Sequence, residues 1–176
     1  EYKVRLGADR TIGAGQVALG LTYSKFGQDD FAGSLYNTGD RYLGQLGYST
    51  VAPVGTVTLS LWNLYRGAGQ LMDGAEVPWD NITNASTTLS MRTAGGMTIE
   101  PNFQVRSWLQ AVAATGSEPA RTERSMLAEL GVRGRVALGA VEVFPGAGYT
   151  IGTLAAGADR HAALSGFRGS LGIRVR

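Results

Sequence analysis

A two-residue alternation of apolar and polar side chains, recurring from one end of the chain to the other, constrains the fold more than any other feature. Successive side chains of a β-strand point to opposite faces, so this period describes strands with one apolar and one polar face. Tyr2, Val4, Leu6 and Ala8 alternate with Lys3, Arg5, Gly7 and Asp9, and Val17, Leu19, Leu21 and Tyr23 alternate with Gln16, Ala18, Gly20 and Thr22. These runs predict a hairpin turning over 10–15. Tyr42, Leu46 and Tyr48, then Val57, Leu59 and Leu61, predict a second hairpin around 52–55. Thr87, Leu89 and Met91 precede Gly95-Gly96, and Ile99, Phe103, Val105 and Leu109 follow it, which gives a third. Met126, Leu130, Val132 and Val136 turn near Gly139 into Val141, Val143, Tyr149 and Ile151, and a closing strand carries Phe167, Leu171, Ile173 and Val175.

Nine strands result, with short connections at 52–55, 95–97 and near 139 and long ones at 27–40, 67–83, 113–124 and 152–163. Short turns at one end and long loops at the other are the pattern of an antiparallel up-and-down transmembrane β-barrel, with the tight turns periplasmic and the loops outside. Single-chain bacterial barrels have an even number of strands, so the expected count is 8–10: eight if the first hairpin is misread, ten if a strand precedes Glu1. Pro101 and Pro145 fall inside strands, where a missing amide hydrogen calls for a bulge or a place near a turn.

Composition removes several alternatives. The 176 residues fit a single β-barrel domain spanning 1–176. Charged residues make up 17% of the chain, below the ~25% usual in soluble proteins. No apolar stretch approaches the ~18–20 residues of a membrane helix, so a membrane role falls to strands of ~9–11 residues. The absence of cysteine excludes a disulfide framework and a thiolate metal site. Net charge is +2, and the cations stand singly, with only Arg121/Arg124 and Arg133/Arg135 close together. A nucleic-acid surface would gather them on one patch with stacking aromatics, so no nucleic-acid partner is expected. No leader with a basic and then an apolar region begins at Glu1.

Alternation alone leaves open which face looks inward. The outer positions of a soluble lipocalin-like, ligand-binding barrel would carry frequent Lys, Glu and Asp. Here Lys is limited to Lys3 and Lys25, and the polar positions hold Gly, Ser, Thr, Gln and Arg, a mixture suited to a crowded interior. The residues expected to face lipid are Val4, Leu6, Val17, Leu19, Leu21, Leu46, Val57, Leu59, Leu61, Leu89, Phe103, Val105, Leu130, Val132, Val141, Val143, Phe167, Leu171, Ile173 and Val175. The expected polar network of the lumen is Arg5, Arg92, Glu100, Arg106, Glu129, Arg133, Arg135, Glu142, Arg168 and Arg174. Guanidinium groups bind carboxylates at two points, and because Arg outnumbers Glu, some should meet water or backbone carbonyls. Tyr23, Tyr42, Tyr48, Tyr65 and Tyr149 share the apolar rows, as in the aromatic girdles of membrane interfaces. Trp62 and Trp108 fall on the opposite parity, so either a bulge shifts the register or they fill the lumen.

The ending resembles the C-terminal assembly signal of bacterial outer-membrane proteins: a polar residue, any residue, Gly, two more, an apolar residue, one more, and a terminal aromatic. Ser170, Gly172 and Val175 take the first three fixed places, and the aromatic would fall one position beyond Arg176. The whole chain resembles small outer-membrane barrels of the OmpA-like and OmpX-like kind. That resemblance implies integral localisation in a Gram-negative outer membrane, outer-membrane lipid as surroundings, insertion by the barrel assembly machinery and no cofactor. It also implies a structural, surface-binding or minor-permeability role; a wide porin-like pore would need ~16–18 strands.

Enzymatic readings rest on fewer residues. Outer-membrane proteases of the omptin type also use an Asp-x-His pair with two acidic residues on another outer loop. Asp159-Arg160-His161 and Asp29-Asp30 resemble these, although such enzymes have longer strands and loops; the Asp would orient the imidazole as a general base. A lipid-modifying barrel would need a serine, for which Ser165 is the nearby candidate. No catalytic residue is assigned. One histidine and a loose Asp29/Asp30/Asp40 group give no metal-site spacing.

Overall fold

The computed structural model describes residues 2–26, 29–31, 34–37, 39–70, 76–112, 120–155 and 160–175, with the side chains of all but 29–31 and 34–36 among them. The chain forms β1 (Tyr2–Ile12), β2 (Gly15–Lys25), β3 (Asp29–Phe31), β4 (Ser34–Tyr36), β5 (Arg41–Ala52), β6 (Gly55–Arg66), β7 (Gly69–Gln70), β8 (Glu76–Val77), β9 (Asp80–Arg92), β10 (Thr98–Val112), β11 (Arg121–Leu138), β12 (Val141–Ala155) and β13 (His161–Val175). The nine long strands make one antiparallel sheet in the order β1-β2-β5-β6-β9-β10-β11-β12-β13. Two small ribbons, β3–β4 and β7–β8, stand within the first two long connections.

The first hairpin is real: β1 and β2 pair from Tyr2↔Lys25 to Ile12↔Gly15, which removes the eight-strand reading. Its two-residue turn uses Gly13 at φ 60°, and the turn after β11 uses Gly139 at φ 62°. Such positive φ angles suit the turn to the twist of the flanking strands, and glycine adopts them without a Cβ clash. Three long connections are shorter than the sequence implies, because β9 begins at Asp80, β11 at Arg121 and β13 at His161. His161 is therefore a strand residue, paired with Ala155, and not a loop residue.

Every ladder between long strands keeps one register along its described length, with no bulge. Of the two accommodations expected for the prolines, a bulge or a place near a turn, the ladders show the second. Pro101 stays paired with Val132 of β11, but toward β9 the pairing lapses between Ile99↔Met91 and Asn102↔Thr88. Pro145 stays paired with Leu171 of β13, while toward β11 the pairing lapses between Arg133↔Gly146 and Val136↔Val143. A ring nitrogen that cannot donate opens the ladder on one side only, near a turn, without changing the count of residues. Opposite Pro145 stands Gly134, where a Cβ would come within 3.1 Å of the proline ring. Nor does a bulge re-aim the tryptophans: Trp62 pairs with Gln45 and Asn84, and Trp108 with Ile82 and Ser125, in unbroken register.

Among the described residues the long strands touch only their ladder neighbours, and no second layer covers either face. Among the described residues β1 and β13 have no strand on their outer sides. Nine antiparallel strands in a row leave these two edges running in the same direction.

Candidate functional site

Constant register turns the sheet into two chemically distinct faces. All twenty residues expected to meet lipid share one face, and all ten expected in the lumen share the other. Rows of directly opposed residues cross the whole sheet, as in Leu19, Leu46, Leu61, Ala85, Val105, Ala128 and Ile151. Fourteen of the twenty apolar residues are exposed and none is buried, with Phe167 at 90%. Small Ala85 and Thr87 on β9, between Leu59 and Leu61 on one side and Phe103 and Val105 on the other, leave a shallow groove of about 430 Å³ lined almost wholly by carbon.

An aromatic band crosses this face toward the long-loop end. Tyr23 and Tyr42 have ring centroids 5.0 Å apart, Tyr42 and Tyr65 are 6.1 Å apart, and Tyr65 stacks on Trp79 at 6.1 Å. The Tyr23 hydroxyl donates to Asp40 Oδ2 at 2.8 Å. Between the band and the apolar rows lies a polar patch in which Asn63 Nδ2 donates to Thr83 Oγ1 at 2.8 Å and to Asn81 Oδ1. Tyr149 packs on Phe167 at 4.7 Å, away from the band.

Burial is inverted on the other face. Among the described residues no hydrophobic side chain is buried, whereas Glu142 is 1% and Asn84 4% exposed. Arg135 Nη2 donates to Glu142 Oε1 at 2.6 Å, and Arg174 Nη1 stands 3.9 Å from Oε2. Arg168 reaches over β12 to bond Glu129 on β11, whose second oxygen accepts from Gln104 Nε2 at 3.2 Å. The crossing passes Gly148, where a Cβ would sit 3.3 Å from Glu129 Oε1. Glycine there keeps the path clear.

The charged residues of this polar face are more sparsely paired than their types suggest. Glu100 accepts from Ser90 Oγ at 3.2 Å and forms no ion pair among the described residues, and Arg106 Nε donates to Asn84 Oδ1 at 3.4 Å. Among the described residues Arg5, Arg92, Arg106 and Arg133 have no carboxylate within ion-pair distance. Register also places on this polar face Trp62 and Trp108, whose opposite parity the alternation had marked, and Leu43, Leu64, Ile82 and Leu127, which it did not single out. Leu43, Leu64, Ile82 and Trp108 form one cross-strand row, with Trp62 and Leu127 in the row below, all half-buried. The signal was present: in Asn63-Leu64-Tyr65 two large apolar residues are adjacent, so one must point to the polar face.

No enzymatic constellation assembles among the described residues. His161 is exposed at the first position of β13, and Ser165 is four residues on along the same face, ~13 Å away in an extended strand. No hydrogen bond joins either to the other. Asp159 lies outside the described residues, as do the side chains of Asp29 and Asp30, whose backbone forms β3. Ser170, Gly172 and Val175 occupy the last turn-end segment of β13, with Ser170 opposite Gly146, Gly172 opposite Phe144 and Val175 opposite Val141. Set against protein-family models, curated proteins and solved structures, the chain gives no match.

Proposed function

We propose that this sheet is the wall of a transmembrane β-barrel in a bacterial outer membrane, with the face carrying Leu19, Leu59, Val105 and Leu171 toward lipid and the arginine-bearing face toward the lumen. One observation carries the reading: the described residues bury glutamate and asparagine and leave their large apolar side chains outside. Water would penalise such an arrangement, since a contiguous apolar face of this extent is rare on a soluble monomer. Hydrocarbon rewards it, because a sheet satisfies its backbone internally and presents only carbon outward. The aromatic band above the apolar rows lies where headgroups favour rings with a polar tip.

β1 and β13 run in the same direction, so one strand running against both completes an antiparallel barrel of ten. The role is structural, surface-binding or one of minor permeability, with any partner met by the long-loop end. The soluble barrel is the weaker reading, because it would place the apolar rows inside.

Paired substitutions test the orientation. In protein refolded into phosphatidylcholine vesicles, Leu59→Lys should cost ~2–4 kcal/mol of urea-unfolding free energy, while Ser60→Lys on the other face should change little. A protein that is monodisperse without detergent, fails to float with vesicles and tolerates Leu59→Lys would overturn the proposal.

A further inference from the structure

We infer that the polar face carries a binding site for a small anionic amphiphile, one acidic headgroup on an aliphatic chain, with Arg106 as the headgroup receptor. The row Leu43, Leu64, Ile82 and Trp108, with Trp62 and Leu127 in the next row, makes a half-buried apolar track on the arginine-bearing face. It spans four adjacent strands, ~14 Å at the usual strand spacing. Charged and polar side chains bound it on the loop side, where the next row holds Arg41, Arg66, Asp80 and Gln110. An apolar stripe bounded by charged and polar residues on the loop side fits a hydrocarbon chain lying across the strands.

The headgroup end is built at Trp108. Arg106 stands with its guanidinium carbon 5.6 Å from the Trp108 ring centre, and a cavity of about 140 Å³ opens beside it, lined by Gln104, Arg106, Trp108, Leu127, Glu129 and Thr150. Arg106 has one long hydrogen bond, to buried Asn84, and no carboxylate partner among the described residues. Its forked donors are thus free to bind an anion bidentately. Among the described residues lining the cavity the one acid is Glu129, held by Arg168 and Gln104, which offsets its repulsion of a second anion. A cationic or neutral head would meet no such receptor.

Octanoate is the probe, because its chain suits the track and it is soluble in water. In the full chain carrying Trp79→Phe, the remaining tryptophans are Trp62, beside Leu64 toward the tail end of the track, and Trp108 at the headgroup end; 8-bromooctanoate, with its bromine at the tail, should quench the Trp62 emission saturably, with octanoate competing. The cationic analogue 8-bromooctylammonium should quench only in proportion to its concentration. Arg106→Gln should weaken half-saturation about tenfold, the loss expected for one charge-assisted pair, while Arg106→Lys should recover most of it. Leu64→Ser should weaken it without altering the charge preference. Equal quenching by both analogues, no saturable quenching, or an unchanged response in Arg106→Gln in a protein whose circular dichroism matches the parent would overturn the inference. The site does not depend on what covers the opposite face: octanoate binding by protein that never enters vesicles would sink the membrane reading and leave this one standing.

Discussion

The ion pair that crosses β12 should be lopsided, and the lopsidedness can be measured. Glu129 keeps 12% of its side chain exposed, while Arg168 keeps 61%. Removing the arginine strands a carboxylate largely out of water with Gln104 Nε2 as its remaining partner, at 3.2 Å. Arg168→Ala should therefore cost ~2–4 kcal/mol, the range for an ionised group that loses its counter-charge away from solvent. Glu129→Gln leaves the guanidinium mostly hydrated and keeps an acceptor for Gln104, so its cost should be ~0.5–1 kcal/mol. With the carboxylate already gone, adding Arg168→Ala should matter little, giving a coupling of ~1.5–3 kcal/mol. Gly148→Ala supplies an independent lever: its Cβ would press on Glu129 Oε1 at 3.3 Å and on the Leu130 carbonyl at 3.4 Å. It should destabilise the parent by ~1 kcal/mol and the Glu129→Ala background by less. Urea unfolding in vesicles, followed by tryptophan fluorescence, reads all of these. Equal losses for the two single variants, or a larger loss for Glu129→Gln, would refute the claim that the network is held by an acid shielded from water and an arginine open to it.

Two further outcomes follow from local geometry. Gly134→Ala should cost ~1–2 kcal/mol, because its Cβ meets the Pro145 ring at 3.1 Å, and most of that loss should vanish beside Pro145→Ala; additive losses in a double-mutant cycle would remove the proline as the cause. Tyr23→Phe deletes the 2.8 Å bond to Asp40 while keeping the ring contact with Tyr42. It should lower stability by ~1 kcal/mol, and an unchanged unfolding midpoint would show that this hydroxyl is equally well served by water.

Much of this fold was legible because a two-residue period leaves few choices. The nine strands, the short turns and the division of residues between faces can be read from such segments as Val57 to Leu61 or Ser170 to Val175. The loop-side ends could not, since Arg121 to Ser125 and His161 to Ala163 continue the ladder where hydropathy no longer alternates. Backbone pairing extends those strands, and pairing leaves no mark in side-chain polarity. The ribbons β3–β4 and β7–β8 escaped for the same reason. The track at Leu43, Leu64 and Ile82 escaped because a pattern that assigns greasy residues to one side treats exceptions as noise. Here the exceptions line up across four strands.

A wall laced in uniform register has a corollary for how such a chain can change length. Deleting one residue within β6 or β11 would exchange the two faces along everything between the cut and the next hairpin, dragging carbon onto the arginine-bearing side and guanidinium onto the greasy one. Two-residue deletions shorten the staves without that inversion. Lineages of this protein should therefore vary their staves by even steps and confine odd ones to the loops between them.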